Sequence, residues 1–166
     1  MKIPIICISS FGKKYGKTTL IEEIIENLKD FKICVIKHSS HKILNDFEKD
    51  TWRYRKAGAF ISAIISRIEN NAIMYFSNKK DLMKILYKIK PDLIICEGFK
   101  SSKYPKLMII KNQEEIEKIK KIPKVIGIIS DIEIKNINIP VLKNDSRIIS
   151  EFIRSYIERI KNDRSL

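Results

Sequence analysis

Glycine is scarce in this chain, five residues in 166, and alanine is scarcer at four. Cysteine is present three times, at Cys7, Cys34 and Cys96, an odd number without CxxC spacing, each inside an apolar run. That excludes a disulfide scaffold and reads as buried, reduced thiols of a cytosolic protein, with metal ligation second. No apolar run reaches membrane-spanning length, and the chain enters a strand without a secretory leader, so a cytoplasmic location and no membrane partner are expected. Acidic residues are also in deficit, 20 against 33 basic ones, a net charge of +13. Such a balance suits a polyanion, either nucleic acid or an anionic cofactor. Composition offers a second account, because 36 isoleucines and 26 lysines are what an A/T-rich genome imposes on every protein. The lysines are scattered and mostly not interleaved with aromatics, which disfavours nucleic acid as the partner. The same bias fits a thermophilic source.

With 44% hydrophobic residues, residues 1–166 suit one globular domain with a sizeable core. Apolar runs of strand length at 3–8, 32–36, 93–96, 106–110 and 125–129 alternate with helical spacing at 18–29, 82–89, 113–121 and 147–161. That alternation predicts an α/β three-layer fold with a mostly parallel sheet. A short helix over 50–56 ends at Gly58, and the runs 60–66 and 72–77 predict an inserted β-hairpin. A short strand follows Pro140. In the last helix, Ile148, Phe152, Ile153, Tyr156, Ile157 and Ile160 are expected to face inward.

Two of the five glycines, Gly12 and Gly16, stand between the first strand and the first helix, in the stretch GKKYGKTTL at 12–20. A strand, a glycine-bearing turn and a helix N-terminus in that order make a phosphate cradle. In the pattern GxxxxGK[ST], Gly16, Lys17 and Thr18 fill the last three places, whereas the first falls on Phe11 with Gly12 one residue late. Backbone amides from Gly12, Lys13, Lys14, Tyr15 and Gly16 through Thr19 would then surround a triphosphate, Lys17 would reach its β and γ oxygens, and Thr18 would ligate Mg²⁺. Glu97, ending a buried strand, suits Mg²⁺ or the attacking water, or else caps the next turn. Asp50 is a second metal or water ligand, or the N-cap of its helix. Lys37 and His38 sit in a polar loop with His41, which faces an anionic substrate or, less simply, zinc. Arg53 and Arg55 cannot face the same way on one helix. Lys100 and Asp131 follow strands and are otherwise surface and turn residues; Asn144 and Asp145 offer a second loop beside Asp131.

Five blocks together resemble the molybdopterin-guanine dinucleotide biosynthesis protein B (MobB) family: GKTTL at 16–20, IKHSSH at 36–41, KDTWRYRKAGA at 49–59, DLIICEGFK at 92–100, and Ser130-Asp131. Glu48 and Phe11 depart from the family pattern, which usually has Gly before Lys-Asp. The resemblance implies a P-loop NTPase fold that binds GTP and Mg²⁺, hydrolyses GTP weakly, and assists the molybdenum cofactor guanylyltransferase that joins GMP to molybdopterin. It implies a homodimer, to which an apolar hairpin would contribute. It favours Arg55 as the arginine pointing at the site. It lays the segment Gly98 to Lys100 over the nucleotide and gives Asp131 the role of reading guanine, with molybdopterin or its guanine dinucleotide as a second ligand. A nickel metallochaperone GTPase using His38 and His41, a small-molecule kinase and a nucleic-acid-binding module are the alternatives, separated by stoichiometric metal binding, ATP preference and steep salt dependence.

Overall fold

The apolar runs of the sequence become the strands of one parallel sheet. The computed structural model describes residues 3–38, 48–66, 71–76 and 78–162. Its elements are β1 (Ile5–Ser10), α1 (Lys17–Asn27), β2 (Ile33–Lys37), α2 (Asp50–Lys56), β3 (Ile61–Ile65), β4 (Ala72–Phe76) and α3 (Lys79–Ile89), then β5 (Leu93–Glu97), β6 (Lys106–Ile109), α4 (Glu114–Ile119), β7 (Val125–Ile129), β8 (Val141–Leu142) and α5 (Ser146–Asn162). They form two compact units, Met1–His38 with Pro91–Leu166, and Ser39–Lys90.

In the first unit six strands pair in the order β2-β5-β1-β6-β7-β8, every pairing parallel. Alternate residues of the central strands feed opposite faces. Ile6, Ile8, Leu107, Ile109 and Ile129 meet Leu20, Ile21, Ile24 and Leu28 of α1 and Ile149, Ile153, Tyr156 and Ile157 of α5 in one core. Met108, Ile110 and Ile128 meet Ile119 of α4 in a second. Helices therefore cover both faces, which is the three-layer α/β arrangement expected from the alternation. The Tyr156 hydroxyl donates to the Ile5 carbonyl at 3.1 Å, fixing α5 against the first strand.

Two inward expectations need correction. Ile148 is 43% exposed, and Ile149 at 0% takes its place in the core. Residues 148/149, 152/153 and 156/157 form adjacent pairs, so helical spacing leaves the phase of α5 open by one position. Cys34 is only half-buried because β2 is the outermost strand of this sheet; Cys7 and Cys96 are buried and face each other in register between β1 and β5.

Lys106 is fully buried. Its Nζ donates to the carbonyls of Ser102, Tyr104 and Pro123 at 2.8, 2.7 and 2.6 Å, so all three protons are used. The Cys96 thiol donating to Cys7, with Ser102 and the Lys106 charge nearby, brings the Cys7 thiol down to about 7 against the opposing effect of burial.

The second unit holds the hairpin, β3 paired antiparallel with β4, beside α2 and α3. Gly58 lies one residue beyond the Ala57 cap of α2 with φ 107°, the left-handed region glycine occupies without strain. Asn78 caps α3, its Oδ1 accepting from the Lys80 amide at 2.9 Å.

If α5 docks through the Ile149 side and not the Ile148 side, Ile149→Ala should cost about 2–5 kcal/mol of unfolding free energy in urea. Ile148→Ala should change it by less than about 0.5 kcal/mol, and equal losses would contradict the assigned phase.

Candidate functional site

All six strands of the first unit run in one direction, so the loops after them gather along one edge of the sheet. That edge is where ligands bind in open α/β sheets. The stretch 11–16 follows β1 and enters α1. Gly16 stands before α1 with φ 75° and ψ 13°, and Lys14 has φ 60°. Alternate left-handed residues turn successive amides toward one side, the geometry of an anion nest. Gly12 has a different use, since a Cβ there would overlap the Tyr15 ring and oblige it to move. The Lys17 Nζ donates to Ser10 Oγ at 2.7 Å and to the Gly12 carbonyl at 3.2 Å. Burial lowers the Lys17 pKa, Glu97 opposes that shift and Lys37 adds to it.

Glu97 closes β5 directly beside Ile8 of β1 and Lys37 of β2. Its Oε1 accepts from the Thr18 hydroxyl at 3.2 Å and pairs with the Lys37 ammonium at 3.2 Å. The carboxylate is largely shielded, 12% exposed, whereas Lys37 is 62% exposed. A hydroxyl and a carboxylate oxygen on one side of a phosphate loop are the hard donors Mg²⁺ takes when phosphates and waters complete its shell. The residues present therefore fit the metal. Lys37 holds the same oxygen, so the ammonium and a divalent ion compete for it. Among the described residues no three His, Cys, Asp or Glu side chains cluster.

The chain turns sharply after Glu97. Gly98 has φ 89° and Phe99 φ 55°, and the Gly98 carbonyl accepts a short hydrogen bond from Ser9 Oγ. A phenylalanine in the left-handed region is uncommon and concentrates at functional turns. Its ring meets the edge of His38 with centroids 5.4 Å apart. Lys100 lies with its ammonium 5.0 Å from the centre of the Phe11 ring.

Farther along the edge, Ser130 continues β7, its amide donating to the Leu142 carbonyl at 2.9 Å. Asp131 follows and accepts from Asn144 Nδ2 at 3.2 Å. Asp145 is committed to α5, its Oδ1 accepting the Arg147 amide at 2.8 Å. The Tyr15 hydroxyl donates to Glu115 Oε1 at 2.5 Å, which raises the tyrosine's pKa. Glu115 Oε2 takes the Lys111 amide at 3.0 Å. Glu115 is 4% exposed and ties the phosphate loop to the first turn of α4. Sequence reasoning missed it, and the signal was an acidic residue in a helical first turn that follows a strand.

Lys17, Thr18, Lys37, Glu97, His38, Gly98 and Lys100 are thus brought to one end of the first unit, with Asp131 two strands from β1 on the same edge. Asp50 and Arg55 belong to the second unit. Asp50 is the first residue of α2, whose N-cap is Lys49, and its carboxylate lies 3.8 Å from Arg53. Arg55 reaches Ser62 Oγ at 3.3 Å and lies 4.7 Å from the centre of the Tyr75 ring, joining α2 to the hairpin. His41 lies outside the described residues.

The family model for molybdopterin guanine dinucleotide synthesis protein B matches residues 5–131. The chain is 34% identical over 119 residues to the molybdopterin-guanine dinucleotide biosynthesis adapter protein of Haemophilus influenzae, covering 68% of this chain and 66% of that protein. It is 27% identical over 169 residues to the probable adapter protein of the same biosynthesis in Bacillus subtilis, 93% of this chain and 94% of that one. The solved structure of Bacillus subtilis MobB superposes with a TM-score of 0.70 at 23% identity, over 93% of this chain and 97% of that chain, a likeness of fold.

Because the Lys17 ammonium is held against the loop at Ser10 and the Gly12 carbonyl, Lys17→Ala should abolish nucleotide-induced thermal stabilisation and leave the unliganded midpoint within a few degrees. An unchanged nucleotide shift would remove the phosphate-loop assignment.

Proposed function

Since the chain belongs to the molybdopterin guanine dinucleotide synthesis protein B family, we propose that it is a GTP-binding adapter in molybdenum or tungsten cofactor biosynthesis, acting in the cytoplasm beside the guanylyltransferase that joins GMP to molybdopterin. One observation carries the reading: a member of this family sets Lys17, Thr18 and Glu97 around one glycine-bearing loop. In it the loop amides and Lys17 hold the phosphates, and Thr18 and Glu97 hold Mg²⁺, which neutralises charge on the β and γ oxygens.

Hydrolysis is slow in this proposal. The chain's only glutamine, Gln113, precedes α4 with its amide directed to the Glu133 carbonyl at 3.5 Å, and Arg55 is engaged with Ser62 and Tyr75. Among the described residues no glutamine or arginine touches Lys17 or Glu97, and P-loop proteins without a glutamine to orient water or an arginine finger forfeit roughly 10³ to 10⁵ in rate. Slow turnover suits an adapter whose bound nucleotide is the signal or the cargo. The hairpin carries Ile64, Ile65, Ile73 and Met74 at 45%, 79%, 54% and 49% exposure, apolar area that a second copy of the chain would cover in the proposed homodimer.

Base choice falls to Asp131, which Asn144 holds. Guanine offers N1–H and its N2 amino group as a donor pair that one carboxylate accepts, whereas adenine has no such pair on that edge. Replacing Asp131 with Asn opposes N1–H with a donor and suits the O2 carbonyl of xanthine. Titrations of GTP and XTP against wild type and Asp131→Asn should show GTP weakened by roughly tenfold to a hundredfold, about 1–3 kcal/mol, with XTP gaining. Parallel affinities in both proteins would leave the guanine reading without its residue.

A further inference from the structure

A cavity of about 400 Å³ adjoins the phosphate loop, lined by Ser9, Ser10, Lys17, His38, Gly98, Phe99, Lys100, Ser101 and Ser102. No carboxylate is among these residues; Glu97 faces Thr18 and Lys37 instead. All three nitrogen-bearing side chains stand against aromatic rings, Lys100 over Phe11, His38 edge-on to Phe99 and Lys17 at 6.0 Å from the centre of the Tyr15 ring. Among the described residues, neither the Lys100 ammonium nor the His38 ring has a hydrogen-bond partner. Phe11 occupies the place where the phosphate-loop pattern has glycine, and here it serves as the platform for Lys100.

From these features we propose that the cavity is a second binding site, separate from the loop cradle, which takes the phosphomonoester group of a small molecule while the nucleotide is bound. This rests on the nucleotide reading above. The lining supplies two ammonium groups, an imidazole and serine hydroxyls, the donor set a phosphate dianion needs, and no carboxylate of its own; Glu97, whose charge reaches Lys17, is paired with Lys37. The volume falls in the range of small-molecule pockets, about 300–1,000 Å³, far more than one phosphoryl group fills. Cradle amides belong to residues 11–19, of which only Lys17 lines the cavity. Lys17 therefore stands between two anions, the terminal phosphate of the nucleotide on one side and the phosphomonoester on the other. The aromatic platforms restrict Lys100 and His38 before a ligand arrives, which lowers the entropy lost on binding.

The anion could instead be the γ-phosphate of the loop-bound nucleotide, and a single calorimetric design separates the two. Phenyl phosphate is titrated into the chain saturated with Mg²⁺ and GDP, and into the chain saturated with Mg²⁺ and a non-hydrolysable GTP analogue, with phenol as the uncharged control. Saturable one-to-one binding to both loaded forms is expected, with no heat from phenol. Lys100→Ala and His38→Ala should each weaken it by roughly tenfold. Binding to the GDP form alone would mean that the cavity serves the γ-phosphate and would overturn the proposal. So would the absence of saturable binding, displacement of nucleotide by phenyl phosphate, or unaltered affinity in both variants. If wild type takes neither nucleotide, the nucleotide reading fails separately, and phenyl phosphate titrated into the free chain and its Lys100→Ala variant still decides whether the cavity holds an anion.

Discussion

The pairing of β1 with β5 is the constraint on which the rest depends. Cys7 stands opposite Cys96 and Ile8 opposite Glu97, on two strands whose paired residues are buried apart from Glu97 itself. β1 delivers the phosphate loop and β5 delivers the carboxylate, so this register alone sets Glu97 next to Thr18. Side chains alternate along a strand, and a slip of one residue would send Glu97 to the opposite face and bring a core residue to the loop. Both faces of β5 are apolar, so what opposes that slip is shape, since Ile94, Ile95 and Cys96 would exchange places in a close-packed core. The hydrophobic core and the polar site are in this sense one device.

Charge is distributed with the same economy. Lys37 meets Glu97, Lys106 is spent on three backbone carbonyls inside the fold, and Lys17 and Lys100 line a cavity without carboxylates. Other lysines pair with surface carboxylates, among them Lys84 with Asp81, Lys120 with Glu117 and Lys161 with Asp92, contacts worth little in water, and an excess of this kind is consistent with composition bias. Lys37 opposes Mg²⁺ for Glu97 Oε1, so a bound nucleotide must supply phosphate oxygens that favour the metal over the ammonium. In the proposed site nucleotide and metal would then be coupled through a single carboxylate oxygen.

Much of this was legible in the sequence. Continuous apolar runs located the central strands because a parallel strand buried on both faces has no polar alternation to confuse the reading. The bounds of α2 and β7 agree with the expectation to the residue, and the strand, loop and helix order identified the phosphate cradle. What stayed hidden depends on tertiary contact. Lys106 begins an apolar run and is buried because three loop carbonyls converge on its ammonium, which no local pattern encodes. Glu115 reads as a solvated helical residue until Tyr15 is brought to it from 100 positions away. Phe11 reads as a defect in a motif until Lys100 is found above its ring. In α5, Phe152, Ile153, Tyr156, Ile157 and Ile160 pack on the core as expected, and only Ile148 was misplaced, because Ile149 beside it is equally apolar and the sheet takes that one.

The central claim is that Lys17, Thr18 and Glu97 make a magnesium-dependent guanine nucleotide site. It is tested most directly by calorimetric titration of GTP and ATP into the wild-type chain with and without Mg²⁺. The account predicts saturable GTP binding that strengthens by roughly tenfold or more with Mg²⁺, and ATP at least about tenfold weaker than GTP under the same conditions. Equal affinities for the two nucleotides, or GTP binding indifferent to Mg²⁺, would contradict it.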